Sequence, residues 1–428
     1  MSEAQLSPDF WVDRLKGPDR VIMDAAAIAA QNEKLLRLDA SMNDLQAFPE
    51  TLRKETVAAS IAELSVLPDE TLYDVEGNPV PTGTLQLLVR SLDLDAIPQQ
   101  APTRYGLALR RTSLRKFPTD LRVFSSRGDT DIDRFQESAL FPGTPVAIMH
   151  HSQDRQWLWV ASSNYQAWVL AEDIATGAKS AVFGYAAKSP YRIVSGAKVS
   201  TVFTREQPEL SELQLEMGVR VPLASAAPDA LVNGQHSYTS WVVELPVRDA
   251  GGTLAFAPAL LQKNQDTAAA YLPLSRANIA RQAFKFLGER YGWGHSYNGR
   301  DCSGFVSEVY RSMGVELPRN TRDQSVSPAL NHVTFGEDDG PAPRKAAVDA
   351  LQVGDLIYIP GHVMMMIGRI DGAPYVIHDT NGGSYLDADG KMRSMHLNAV
   401  SVTPLLPLRF NETRTYVDRI TSIVRIRP

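Results

Sequence analysis

Apolar and polar positions change rhythm along the chain. Residues 1–75 carry helical spacing, with an alanine-rich run at 25–31 and apolar residues three and four apart across 35–45 and 51–67, punctuated by Pro49 and Pro68. Across 102–178 the pattern shortens to β-rich runs such as Val146-Ala147-Ile148-Met149, Trp157-Leu158-Trp159-Val160 and Ala167-Trp168-Val169, parted by polar turns such as Ser152-Gln153-Asp154. Strands this short at this spacing predict a small antiparallel barrel. Residues 180–250 repeat the pattern, with strands expected over 197–203, 217–222 and 240–245, and predict a second barrel of similar size. Pro246, Gly251, Gly252 and Pro258 then predict a linker.

Beyond the linker the periods mix. Phe305, Val306, Val309, Tyr310 and Met313 fall at helical spacing, and Gly314 stands where a helix stop belongs. Residues 354–359 predict a strand, Pro360-Gly361 a turn, 362–368 a buried strand, Gly372-Ala373-Pro374 another turn and 375–378 the next strand. A chain of 428 residues exceeds one typical core, so two to four domains of a multidomain α+β protein are expected.

Composition narrows the function by exclusion. Hydrophobic content of 44% and charged content of 21% are those of ordinary globular protein. The formal net charge is −6, with Lys and Arg dispersed, so no electrostatic footprint for nucleic acid or anionic lipid is present. No apolar stretch approaches the ~18 residues that span a bilayer. The opening MSEAQLSPDFW lacks a basic segment followed by an apolar core, so a cytoplasmic location is expected for the chain as written, with the periplasm or envelope as the alternative if a leader has been trimmed.

Cys302 is the only cysteine. Alone it forms neither an intrachain disulfide nor a thiolate zinc site, which leaves core packing or nucleophilic chemistry. It is flanked by Asp301, Ser303 and Gly304, behind a loop containing Gly292, Gly294 and Gly299, at the start of the predicted helix. There the helix dipole and unpaired N–H groups favour a thiolate and can hold an oxyanion. Consecutive antiparallel strands can bring His362, at the start of one, beside His378, at the end of the next. That pairing suits a base and its orienter.

Taken together, YGWG at 291–294, DCSG at 301–304, Gly314-Val315-Glu316-Leu317-Pro318-Arg319, GDLIYI at 354–359, His362-Val363 and Ile377-His378 resemble the NlpC/P60 cysteine peptidases. The resemblance covers roughly residues 275–428. It implies a papain-like catalytic domain in which Cys302 is the nucleophile, His362 the base and later acid, and His378 the orienting residue, with no cofactor and no metal. It also implies a substrate, the γ-D-glutamyl to diaminopimelate (or other diamino acid) bond of peptidoglycan-derived peptides. Tyr291, Asp301, Ser303, Asn320 and Thr321 match the positions that bind such a peptide. Asp301 and the Tyr291 hydroxyl would meet the free amine of an N-terminal L-alanine, although Asn320 stands where some relatives carry an aspartate.

The same resemblance extends to the arms of the chain. Phe10-Trp11, Arg14, Ile28 and Asn32 match a helical segment that wraps around other domains, and residues 115–119, 152–157 and 168–169 resemble a bacterial SH3-like domain. The domain plan is then a helical segment over 1–75, SH3-like barrels over 76–178 and 179–250, and the peptidase domain over 251–428. In relatives the first barrel closes one end of the cleft. That implies preference for short muropeptides with a free L-Ala amine, in turnover or recycling. Other readings stay open: an acyltransferase or amidase on the same Cys-His core, or a wall-binding protein with an inert core.

Elsewhere, tempting motifs fail. Asp129-Thr130-Asp131-Ile132-Asp133 imitates a calcium loop, but Arg134 replaces the needed glycine and Leu140 the needed glutamate, so a solvated loop is expected. His150-His151 would point to opposite faces of a strand, which predicts a structural role.

Overall fold

A computed structural model describes residues 2–225, 227 and 230–427. Chain contacts divide it into two units, one built from residues 1–41, 271–291 and 297–428, the other from 42–270 and 292–296. No helix among the described residues is long and apolar enough to cross a membrane.

The first unit centres on a six-stranded sheet. Its order is Asn331–Thr334, Ser422–Arg425, Leu356–Ile359, His362–Ile370, Ala373–Leu386 and Met392–Pro404, every neighbour antiparallel. Met364, Met366, Val376, Ile357 and Ile423 fill one core of this sheet with Leu405 and Val348. The helices Arg276–Phe284 and Cys302–Arg311 pack together, with Phe286 and Phe305 edge to face at 5.7 Å. The second helix ends as its sequence predicts. Gly314 takes φ +82°, and the Val315 N–H reaches back to the Tyr310 carbonyl at 3.1 Å, a glycine-dependent stop.

The N-terminal segment belongs partly to this unit. Helix Ala25–Leu38 is capped by Asp24, and Asn32 grips the loop after the Gly314 stop. Its Nδ2 donates to the Gly314 carbonyl at 2.8 Å and its Oδ1 accepts the Glu316 N–H at 3.0 Å. Trp11 is buried against Tyr375 and lies over Gly368, where an added Cβ would come within 2.7 Å of its ring. The helical pattern read through 45 stops at Leu38, and that read from 51 begins as a strand, Thr51–Arg53, before the helix Lys54–Leu64. Residues 42–75 join the second unit, so the expected single helical segment is divided.

In the second unit a seven-stranded antiparallel sheet runs Ile174–Gly177, Arg104–Ala108, Pro145–His151, Trp157–Ala161, Gln166–Leu170, Thr112–Arg115 and Gln136–Leu140. Its core holds Phe117, Phe135, Trp159 and Trp168. The following β-rich part has its own core of Val194, Leu215, Val221, Val243, Leu245 and Leu261, enclosed by short antiparallel sheets, two of them joined by a bridge between Leu223 and Val243. Ser240–Arg248 and Leu254–Gln262 form one long hairpin. The expected linker at 246–258 therefore falls inside this hairpin, and the domain boundary after 250 falls at its turn. Pro246 stands opposite Phe256 and Pro258 opposite Glu244 in this two-stranded ribbon, and proline within sheets is confined to such edge strands.

Other expectations are also revised here. Asp133 is not solvated: it is buried, and its Oδ2 meets Arg115 Nη1 at 2.6 Å while Oδ1 accepts the Phe135 N–H. The rings of His150 and His151 stack at 5.2 Å, just past a slip in the strand pairing between Ile148 and His150. No group of three His, Cys, Asp or Glu among the described residues could hold a metal ion. Residues 292–296 also belong to this unit: Trp293 donates its indole N–H to the Gln136 carbonyl at 3.0 Å, and Gln136 donates to the Gly294 carbonyl at 2.7 Å. Gly294 has φ +56°, and a Cβ there would stand 2.9 Å from Gln136 Cγ.

Candidate active site

Cys302 is the first residue of its helix. Asp301 caps that helix, its Oδ1 accepting the Gly304 N–H at 2.8 Å. The thiol is buried and accepts a hydrogen bond from the Val363 N–H, one residue beyond His362. His362 starts its strand and His378 lies in the next, and their rings meet at 2.8 Å between His362 Nε2 and His378 Nδ1. The far nitrogen of His378, Nε2, stands 3.0 Å from the Thr403 hydroxyl. His362 therefore has one ring nitrogen, Nδ1, outside this chain of bonds.

The residues ahead of Cys302 are held by buried charge. Arg300 is fully enclosed between Glu308, at 2.7 Å from Nε, and Glu289, at 2.6 Å from Nη1. Arg319 grips Asp301 with both terminal nitrogens, at 2.7 and 3.2 Å, and donates to the Ser303 hydroxyl at 2.9 Å. The carboxylate expected to meet a substrate ammonium is thus already neutralised and bonded. Tyr291 is buried in the same field, its hydroxyl pushed up by burial first and then by Cys302, Asp301 and Asp379. Asn320 is exposed and turns its amide to Asp323 at 3.2 Å, and Thr321 opens the short helix Thr321–Val326 at a half-buried position. Neither makes a hydrogen bond to the cysteine–histidine group.

Electrostatics set the resting proton arrangement. Burial pushes the Cys302 thiol up to about 12, with Asp301 adding to the shift and the Val363 N–H opposing it. Burial also draws His362 down to about 4 and holds His378 well below the usual imidazole range. Both shifts favour a neutral thiol beside a neutral imidazole. The thiolate expected from the helix start is outweighed, because removing a charge from water costs more than a dipole and one N–H return. Asp379, next to His378, is fully buried, and neither carboxyl oxygen has a hydrogen-bond partner. Burial first, then Asp301 and Glu289, hold it well above the usual carboxyl range.

Thr403, Arg319 and Asp379 were not singled out from sequence. Only Arg319 carried a signal, its place in the Leu317-Pro318-Arg319 motif.

A thiol at a helix start, with a histidine pair on the adjoining sheet, is the constellation of nucleophilic acyl transfer. Residues 288–402 match the NlpC/P60 family and 122–170 match an SH3 domain of the SH3b1 type, so the chain carries an NlpC/P60 domain preceded by an SH3b domain. Among solved structures, an NlpC/P60 endopeptidase from Photobacterium damselae subsp. piscicida is similar over 92% of this chain and 90% of its own, at 18% identity and a TM-score of 0.74. An NlpC/P60 family protein from Bacillus cereus is similar over 76% of this chain and 100% of its own, at 20% identity and a TM-score of 0.51. These likenesses concern the fold. In sequence, 115 residues are 28% identical to dipeptidyl-peptidase 6 of Lysinibacillus sphaericus, a match covering 27% of this chain and 36% of that relative.

Proposed function

We propose that this chain is a cysteine peptidase that cleaves the γ-D-glutamyl to diamino-acid amide bond of short cell-wall peptides with a free N-terminal L-alanine, in peptidoglycan turnover or recycling. The observation that carries the reading is the 2.8 Å bond between His362 and His378 on strands adjoining the Cys302 helix start. The relative from Lysinibacillus is named a dipeptidyl-peptidase, which suits release of L-Ala-D-Glu as a dipeptide.

In the proposed reaction the Cys302 proton passes to His362 Nδ1 as Sγ attacks the γ-carbonyl carbon. The carbonyl oxygen becomes an oxyanion, held by N–H groups at the helix start. Collapse breaks the C–N bond, and the imidazolium gives its proton to the departing amine. Water then attacks the thioester, His362 takes the water proton, and the acid leaves as the thiol is restored. These steps call on protein groups and water alone. Incubation with L-Ala-γ-D-Glu-diaminopimelate, beside Cys302→Ala, tests the reading: L-Ala-D-Glu should appear with the wild type only. No release from any free-amine peptide would overturn it.

A further inference from the structure

Thr403 lies in the Met392–Pro404 strand, which pairs with the strand carrying His378. Ser401 is directly opposite His378, and Thr403 is opposite Val376. Two residues further along a strand means the same face of the sheet, so Thr403 is the diagonal neighbour of His378. Its hydroxyl reaches His378 Nε2 at 3.0 Å, and both side chains are buried. The hydroxyl and the two rings thus form one chain of hydrogen bonds running from Thr403 through His378 to His362.

We infer that Thr403 is a positioning residue that sets the tautomer of His378 and, through it, the basicity of His362. The inference rests on the cysteine–histidine reading above. For His362 to accept a proton on Nδ1, its own proton must sit on Nε2 and donate to His378 Nδ1. His378 must then carry its proton on Nε2, which needs a buried acceptor, and the Thr403 oxygen supplies it. In the reverse arrangement His378 holds its proton on Nδ1 and donates to His362 Nε2. His362 is then protonated on Nδ1 and cannot act as the base. Neutral rings allow either direction. Once His362 is an imidazolium, both its nitrogens are donors, and only the direction ending on the Thr403 oxygen is possible. Thr403 is therefore bonded in the correct sense in the state that the reaction creates.

Removing the hydroxyl leaves the buried His378 Nε2 without its hydrogen-bond partner. A buried N–H without an acceptor is disfavoured there over a bare nitrogen, so the ring shifts its proton to Nδ1 and opposes protonation of His362. Thr403→Val keeps the β-branched shape and removes only the acceptor, whereas Thr403→Ser restores it.

The test reads both states without relying on peptide cleavage. Nitrogen-15 NMR of histidine-labelled full-length protein, with His378 assigned by its loss in a His378→Asn sample, should show the Nε2–H form in the wild type and in Thr403→Ser. Thr403→Val should show the Nδ1–H form. The rate of Cys302 alkylation by iodoacetamide at neutral pH should fall about ten- to a hundredfold in Thr403→Val, and Thr403→Ser should recover it. An Nδ1–H tautomer in the wild type, or unchanged alkylation in a folded Thr403→Val, would overturn the inference. If Thr403→Val does not fold, the wild-type tautomer and the Thr403→Ser rate still decide it. If no peptide is cleaved while the tautomer and alkylation effects hold, the proposed substrate fails and the role of Thr403 stands.

Discussion

Asp379 gives the sharpest test of how charge is arranged behind Cys302. The carboxyl is buried with both oxygens unpartnered, and burial together with Asp301 and Glu289 raises its proton affinity well above that of the unfolded chain. In the unfolded chain it ionises near ~3.9. Between that pH and the raised folded value, the folded protein holds a proton that the unfolded protein has lost. Stability that is fully present below pH ~4 therefore declines as pH rises, by about 1.4 kcal/mol per unit for one proton. Asparagine has the shape of the neutral acid and does not titrate. Asp379→Asn should match the wild type near pH 4 and gain on it steadily. The gap widens by about 1.4 kcal/mol per pH unit for as long as the folded carboxyl keeps its proton. In a chain of two units a single unfolding signal mixes both, but Cys302 is the only thiol and belongs to the same unit. Pulse alkylation across a urea series, read by mass spectrometry after subtracting the rate without urea, reports that unit alone. Wild-type and Asp379→Asn curves that stay parallel from pH 5 to 8 would refute the assignment of a bound proton to Asp379.

The remaining predictions use the same geometry. Arg319→Met leaves the Asp301 carboxylate buried without its guanidinium, with both side chains under a tenth exposed, and should cost about 3–5 kcal/mol in the same assay at pH 7. Adding Asp301→Asn should recover part of that loss, and failure to recover any would show that the pair is not the source. Because burial pushes Cys302 up to about 12 and His362 down to about 4, thiolate absorbance near 240 nm, taken against Cys302→Ala, should show no step between pH 5 and 9. A step below pH 8 would establish a resting ion pair instead. Gly368→Ala puts a Cβ 2.7 Å from the Trp11 ring and should cost about 1–3 kcal/mol by overpacking. It should also speed trypsin cleavage at Arg14 and Lys16, and unchanged proteolysis would show that Trp11 does not hold the N-terminal segment in place.

What was legible in the chain is what local pattern writes. The Cys302 helix start follows from a glycine-rich loop giving way to helical spacing, and the meeting of His362 and His378 follows from strand–turn–strand punctuation. Thr403 could not be found this way, because its relation to His378 depends on a cross-strand register set 25 residues away. Asp301 was read as a partner for a substrate ammonium without Arg319, which lies 18 residues downstream and pairs with it in the fold. The hairpin at 240–262 was hidden for a different reason: proline and glycine mark linkers and two-stranded ribbons alike, and composition does not separate them. The register slip ahead of His150, and the stacking of the 150 and 151 rings, are not written in strict alternation.

The resting site holds no ready-made nucleophile, and this follows from the same burial that organises it. Asp301, paired with Arg319, is the ionised carboxylate that acts on the thiol, while Glu289 and Glu308 are taken up by Arg300 and Asp379 keeps its proton. A thiolate added to that field is opposed both by desolvation and by like charge. A neutral thiol is also the form that resists oxidation, which matters when the chain has a single cysteine. In the proposed reaction negative charge reaches the substrate oxygen at the helix start while positive charge appears on His362. His378, backed by Thr403, is bonded to receive the His362 Nε2 proton in that state. The interactions that strengthen are those made as the carbonyl is attacked, and the ground state gains little from them, so the arrangement favours the transition state over the resting pair.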